Sequence, residues 1–242
     1  MTQHTHRSGQ YGIDAPYAPI GMAVGGIICL VMACLSQNLW ETCWFGVWTV
    51  LLLGMASSFF YTSRRGKFVV WARIVEGLRL AGDEQALDLG CGRGLVLLEV
   101  ARHLPRGEAV GIDLWRSRDQ SGNNKQATLA NARAEGVAER VRLETGDMAK
   151  LPFPDASFDL VTSSLAIHNM PAAADRQKAI DEAVRVLRPG GRLAIADMRH
   201  TRAHAERLHA LGLTDVARRN LGWRFWYGGP LWATHLVSAR KP

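Results

Sequence analysis

Residues 86–94 read Ala-Leu-Asp-Leu-Gly-Cys-Gly-Arg-Gly. Apolar Ala86, Leu87 and Leu89 predict a short buried strand with Asp88 near its end. Gly90, Gly92 and Gly94 then alternate before a helical run from Leu95 to Leu104. Glycine admits the positive φ values of a tight turn and removes the Cβ that blocks close approach. The first turn of a helix adds backbone N–H groups without intrahelical partners. A strand that ends in a carboxylate and turns through three glycines into a helix is a small-molecule cradle. The dinucleotide pattern G-x-G-x-x-G needs its third glycine three residues after the second. That position is Leu95, and the third glycine falls at 94. Taken alone, the loop also reads as a structural turn with no ligand.

Further strands follow in order. Val110-Gly-Ile-Asp-Leu114 predicts a second strand ending in Asp113, 25 residues after Asp88. A dinucleotide fold also places an acid near here, so Asp113 alone does not discriminate. Val141 to Leu143 predicts a third strand, followed by Glu144-Thr-Gly-Asp-Met148. Phe158 to Ser164 reads as a fourth. Arg185 to Ile195 reads as a helix end, a turn at Pro189-Gly190-Gly191 and a fifth strand. Alternation of strand and helix patterns over residues 68–200 argues for a parallel sheet covered on both faces. Gly212 to Arg218 and Trp232 to Arg240 read as a closing pair of strands.

These five segments resemble, in the correct order, the motifs of the class I S-adenosylmethionine-dependent methyltransferases, over residues 68–240. The resemblance is to the broad group that includes the ubiquinone and menaquinone biosynthesis C-methyltransferases. It implies a Rossmann-like α/β fold with a mostly parallel seven-stranded sheet and an antiparallel C-terminal hairpin. It implies S-adenosyl-L-methionine as cofactor, held by Asp88, Gly90, Cys91, Gly92, Gly94, Asp113, Leu114, Asp147, Met148 and Ser164. Asp113 is then the acid that accepts hydrogen bonds from both ribose hydroxyls. Asp147 binds the adenine amino group, and Met148 lies against the ring. The family has no universal catalytic residue, because the sulfonium donor carries the activation.

The first sixty residues differ in kind. Glu41 is the single charge between Asp14 and Arg64. Two apolar stretches, Ile20 to Leu35 and Cys43 to Tyr61, flank a polar break at Ser36-Gln37-Asn38. A membrane-spanning helix needs roughly 20 apolar residues. The second stretch meets this, and the first does so when Tyr17, Ala18 and Pro19 extend it. Glycines at 21, 25, 26, 46 and 54 suit membrane helices. Gly21 and Gly25 form a G-x-x-x-G pattern that lets helices approach closely. The expected organisation is a tail over 1–16, a membrane hairpin over 17–63 (helices at about 18–36 and 43–61) and a methyltransferase domain over 64–242. A cleaved signal peptide is disfavoured by an n-region with only Arg7 and by the second apolar stretch. A soluble buried hairpin is the bland alternative. The connecting loop lacks Lys and Arg, whereas Arg64, Arg65 and Lys67 follow the second stretch. The positive-inside rule therefore places both termini and the catalytic domain in the cytoplasm.

The chain carries a net charge of +7. Residues 1–61 contribute −1 from Arg7, Asp14 and Glu41, leaving +8 for the remainder. A tethered basic domain is attracted to an anionic leaflet. Nucleic acid is not an expected partner, because the charge is spread out and the base-methylation motif Asn/Asp-Pro-Pro-Tyr is missing after strand four. The four cysteines form no C-x-x-C, so no metal site or redox pair is indicated. His4 and His6 read as solvated.

Chemistry is least legible. His168, in the loop beyond strand four, is the candidate base, since imidazole titrates near neutrality. A pocket-shaping role is the alternative. Asp197, Arg199 and His200 are weaker candidates. Residues 115–124 are a polar insertion beside the cofactor site, with a helix expected to start near Ser121. Gly222 to Trp232 holds five aromatics, which read either as core or as an interfacial patch. The expected function is methyl transfer to a small, hydrophobic or membrane-derived acceptor. The alternatives are a non-catalytic membrane-bound sensor or assembly factor, and an anchored enzyme acting on a water-soluble acceptor.

Overall fold

The computed structural model describes residues 7–116 and 120–242. His4 and His6 lie outside the described residues, as do Ser117, Arg118 and Asp119 of the insertion.

Two long helices come first, α1 (Tyr17–Leu35) and α2 (Leu39–Tyr61). The Asn38 side chain caps α2 by accepting from Trp40 N at 2.9 Å, so this helix begins four residues before Cys43. Both are long and apolar enough to cross a membrane, the second as part of a continuous helical run from Leu39 to Leu78. Their outer faces are bare: Ile27, Ile28, Val47 and Val50 are all more than half exposed. A Cβ on Gly21 would meet nothing within 4 Å, one on Gly25 would lie 3.4 Å from Leu52 Cδ1, and one on Gly26 would sit 2.7 Å from Leu53 Cδ2. Of the G-x-x-x-G pair expected from sequence, only Gly25 reaches the partner helix, and the tightest approach is at Gly26.

A π-helical turn, Thr62–Gly66, runs without a break into α3 (Lys67–Leu78). Trp71, Val75 and Ile74 of α3 bury against the sheet, following the helical period of the sequence. The remaining elements are β1 (Gln85–Leu89), α4 (Leu95–Arg102), β2 (Glu108–Asp113), α5 (Lys125–Ala134), β3 (Val141–Thr145), β4 (Phe158–Ser164), α6 (Ala173–Val186), β5 (Leu187–Asp197), α7 (Thr201–Ala210), β6 (Thr214–Asn220) and β7 (His235–Arg240). The sheet has seven strands in the order β3-β2-β1-β4-β5-β7-β6. Only β7 runs antiparallel to its neighbours β5 and β6. Alternate residues of each strand feed opposite faces. Ala86 and Ala109 pack with α3 and α4, while Leu87, Leu89, Val110 and Ile112 pack with α6 and α7.

Two local features differ from expectation. Pro189-Gly190-Gly191 is not a separate turn but a bulged entry to β5, with Gly190 at φ 78°. Its N–H donates to Lys241 O at 2.8 Å, and Lys241 N returns a bond to Gly191 O, so the terminal residues extend the ladder. Helix α5 starts at Lys125 rather than near Ser121, because Asn124 caps it through Ala127 N at 2.8 Å.

Candidate active site

A cavity of about 1280 Å³ opens at the carboxyl ends of the parallel strands. Every ligand residue expected from the sequence lines it: Asp88, Gly90, Cys91, Gly92, Asp113, Leu114, Asp147, Met148 and Ser164, with Gly94 alone set back at the start of α4. Their convergence follows from topology, since parallel strands deliver their C-terminal residues to one edge.

The glycine loop has the geometry its sequence requires. Gly90 and Gly92 sit at φ 68° and 50°, values that strain any side chain. A Cβ on Gly90 would stand 2.3 Å from Ala166 Cβ, and one on Gly92 would stand 2.7 Å from Gln120 Oε1. Gly90 N and Cys91 N both donate to Ile112 O, at 2.8 and 3.2 Å. This fastens the turn to the end of β2.

The carboxylates are held differently. Asp88 is buried; its Oδ1 accepts from Thr162 Oγ1 at 2.8 Å and its Oδ2 from Leu97 N at 3.1 Å. Burial pushes its pKa up to about 7, against the lowering effect of those two hydrogen bonds. Asp88 thus braces the loop against α4 and β4. Asp113 Oδ2 accepts from Gly92 N at 2.8 Å, and Oδ1 accepts from Trp115 N at 2.5 Å and Asn123 Nδ2 at 3.3 Å. Trp115 adopts φ 58° and anchors its indole on Thr145 Oγ1 at 2.8 Å. Among the described residues Asp147 accepts from Ala149 N alone, at 2.9 Å through Oδ1, and it lines the cavity. The Cys91 thiol is pushed up by burial and by Asp113 and Asp88, so Cys91 offers backbone rather than nucleophile.

The far wall carries the candidate base. His168 lies on a short turn after β4, with Nδ1 2.6 Å from Asp197 Oδ1. The pair is close without the alignment of a straight hydrogen bond. Asp197 is fully buried and accepts from His168 N at 3.1 Å and Met198 N at 2.7 Å. Ser164 Oγ accepts from Trp71 Nε1 at 2.9 Å, which ties α3 to the end of β4. Arg199 lines the cavity, while His200 points to a small side cavity with His204 and Arg176. Burial lowers the pKa of both His200 and His204.

Several residues of the site have no place in the sequence motifs. Asp14 accepts from Lys67 Nζ at 2.6 Å, Tyr227 OH at 2.7 Å and Gln120 Nε2 at 3.2 Å. These four side chains come from four distant segments, and all line the cavity. The only hint in the sequence is that Asp14 and Lys67 are charged residues bordering long uncharged stretches. The cavity's outer wall is apolar and comes from Ala18 and Met22 of α1, Phe59 of α2, and Trp232. The aromatic segment between β6 and β7 divides: Phe225 and Tyr227 are buried, while Trp223 and Leu231 are exposed, the latter at 88 %.

Comparison with known proteins agrees with this geometry. Residues 87–195 match the family model described as a methyltransferase domain. This is a class I S-adenosylmethionine-dependent methyltransferase domain. The matched span runs from β1 through the glycine loop to β5, so it contains the cofactor cleft. The chain is 37% identical over 153 residues to 27-O-demethylrifamycin SV methyltransferase of Amycolatopsis mediterranei, covering 60% of this chain and 52% of that protein. It is 35% identical over 129 residues to the ubiquinone/menaquinone biosynthesis C-methyltransferase of Geobacter sulfurreducens, covering 52% and 47%. The chain thus spans about half the length of the curated relatives it matches. A methyltransferase from Aquifex aeolicus described as S-adenosylmethionine-dependent shares the fold, with a TM-score of 0.55 at 18% identity over 71% of this chain and 89% of that one. The cofactor of the methyltransferase domain is S-adenosylmethionine. The cradle fits it: left-handed glycines allow close approach, Asp113 and Asp147 supply acceptors, and Leu114 and Met148 supply apolar surface.

Proposed function

We propose that this chain transfers a methyl group from S-adenosylmethionine to a hydrophobic acceptor drawn from the membrane into which α1 and α2 insert. The observation that carries the reading is the composition of the cavity. Its inner end is the glycine loop with Asp113 and Asp147, and its outer wall is built from Ala18, Met22 and Phe59 of the two apolar helices. An acceptor leaving the bilayer at the cytoplasmic ends of these helices enters the cleft without crossing water. Both relatives named above carry printed names for methyltransferases acting on organic small molecules, which supports a small-molecule acceptor here.

Orientation rests on fewer charges than the sequence offers. Lys67 is buried and paired with Asp14, and Arg7 is paired with Glu99. Arg64 and Arg65 are exposed just past α2 and supply the positive flank that favours the cytoplasmic side.

The cofactor supplies an activated methyl on a sulfonium. Asp113 and Asp147 orient the nucleoside, and the glycine loop lets its backbone approach. Positioning of this kind, with water excluded, accounts for most of the barrier lowering in such a displacement. His168 takes the proton that the acceptor atom releases as its bond to the methyl group forms. Asp197 holds the imidazole and stabilises the positive charge it gains. Placing a charge at the outer wall tests the reading. Met22→Lys is expected to raise KM for an apolar acceptor at least tenfold and leave cofactor affinity unchanged. An unchanged KM would remove the membrane route.

A further inference from the structure

Residues 7–14 run across the domain rather than away from it. Gly9 N donates to Glu135 Oε1 at 3.0 Å, and Gln10 N donates to Asn131 Oδ1 at 2.7 Å. Tyr11 is buried, with its ring 5.0 Å from that of Phe68. Ile13 N donates to Ser121 Oγ at 3.0 Å, and Asp14 forms an antiparallel bridge with Gln120. Gln120 and Ser121 are thus the docking points for this segment.

Gln120 joins the segment to the cofactor cleft. Its Oε1 accepts from Arg93 N, inside the glycine loop, at 3.0 Å. Its Nε2 donates to Tyr11 O and to Asp14 Oδ1, both at 3.2 Å. The neighbouring Gly92 N is already bonded to Asp113 Oδ2. One amide side chain therefore spans from the glycine loop to the segment whose end, Asp14, lines the cleft. Asp14 in turn is held by Lys67 and Tyr227.

We infer that residues 7–14 form a strap that, through Gln120, holds the glycine loop in its cofactor-binding shape, and that cofactor release requires the strap to unlatch. Gln120 is a positioning residue in this scheme, acting on the cofactor through Arg93 N and the loop. The inference is independent of the acceptor and rests only on the cofactor assignment. Asp14 lies three residues before Tyr17, the first residue of α1, so the latch is also the point where the apolar hairpin joins the cleft.

Charge logic gives the test. Gln120→Glu keeps an acceptor for Arg93 N but sets a carboxylate against Asp14 and loses the neutral bond to Tyr11 O. Adding Asp14→Asn restores a donor toward residue 120 while still accepting from Lys67 and Tyr227. Stopped-flow release of S-adenosylhomocysteine is measured on the full chain in detergent micelles, alongside the thermal midpoint of each ligand-free variant. Release from the single variant is expected to be at least tenfold faster than from wild type, and the double variant to return to within threefold. Release from Gln120→Glu within twofold of wild type would overturn the inference, as would a fast release that the double variant fails to correct. A lowered thermal midpoint with unmoved release rates would likewise reduce the strap to a structural contact and overturn it.

Discussion

His168 Nδ1 lies 2.6 Å from Asp197 Oδ1 at the wall of the cleft, and the backbone N–H of the same histidine donates to the other oxygen of the same carboxylate. One buried acid thus fixes the turn and stands beside the ring. General base catalysis is worth about 10²–10⁴-fold. His168→Gln is expected to lower kcat by at least about a hundredfold without changing S-adenosylhomocysteine affinity. Asp197→Asn is expected to lower kcat less. Single-turnover methyl transfer, with calorimetry for the ligand, reads both.

Asp113 gives the complementary result. Asp113→Asn keeps Oδ1 as acceptor for Trp115 N and Asn123 Nδ2 but replaces Oδ2, the acceptor of Gly92 N, by an amide donor and removes the charge. Hydrogen bonds to charged groups contribute about 1.5–3 kcal/mol. Cofactor affinity is expected to fall by about ten- to a hundredfold, measured by titration calorimetry with S-adenosylhomocysteine.

The buried Asp88 predicts a pH effect on stability. Its folded-state pKa of about 7 lies above the ordinary aspartate value of 3.8 that it regains on unfolding. Its contribution is therefore complete below that lower value and is lost as pH rises through 7. Asp88→Asn mimics the protonated form: its amide donates to Thr162 Oγ1 and its oxygen accepts from Leu97 N. Between pH 5 and 8, wild type is expected to lose about 2–3 kcal/mol relative to this variant. Denaturant unfolding of the ligand-free protein at the two pH values measures the difference.

Gly66 tests the junction between hairpin and domain. A Cβ there would fall 1.8 Å from Arg224 O, in the segment where Tyr61 and Trp223 stack with ring centres 5.2 Å apart. Gly66→Ala forces the backbone apart and is expected to destabilise the protein by about 1–3 kcal/mol. Met55, facing Gly228 in the same region, leaves room for a control: Met55→Leu is expected to change stability by under about 1.5 kcal/mol.

Much of the domain could be read from local pattern. The strand at Phe158–Ser164 has the bounds its sequence suggests, because apolar Phe158, Leu160 and Val161 lie within a β-prone segment whose buried Thr162 and Ser163 hydroxyls bond back to β1. The glycine loop was legible because its φ values exclude other residues. Asp14, Lys67, Gln120 and Tyr227 were not legible as a group. They meet through tertiary contacts that span more than two hundred residues, and no local period encodes such a meeting. The choice of Gly26 over Gly21 and Gly25 at the tightest helix contact was hidden for a related reason. Spacing gives a face, but the partner helix decides which face is used. His168 was visible by its place after the fourth strand, whereas its pairing with Asp197 required the register of β4 on β5.

On the proposed function, the cleft methylates an apolar acceptor supplied by the bilayer. The most direct measurement incubates the full chain in vesicles of membrane lipid extract with methyl-labelled S-adenosylmethionine. Label is then counted in the organic and aqueous phases, and the labelled product is weighed by mass spectrometry. Label is expected in an organic-phase product that is one methylene heavier than a component of the extract, forming at least about a hundredfold more slowly with His168→Gln. Bound cofactor without any labelled product, or label confined to water-soluble acceptors, would contradict it.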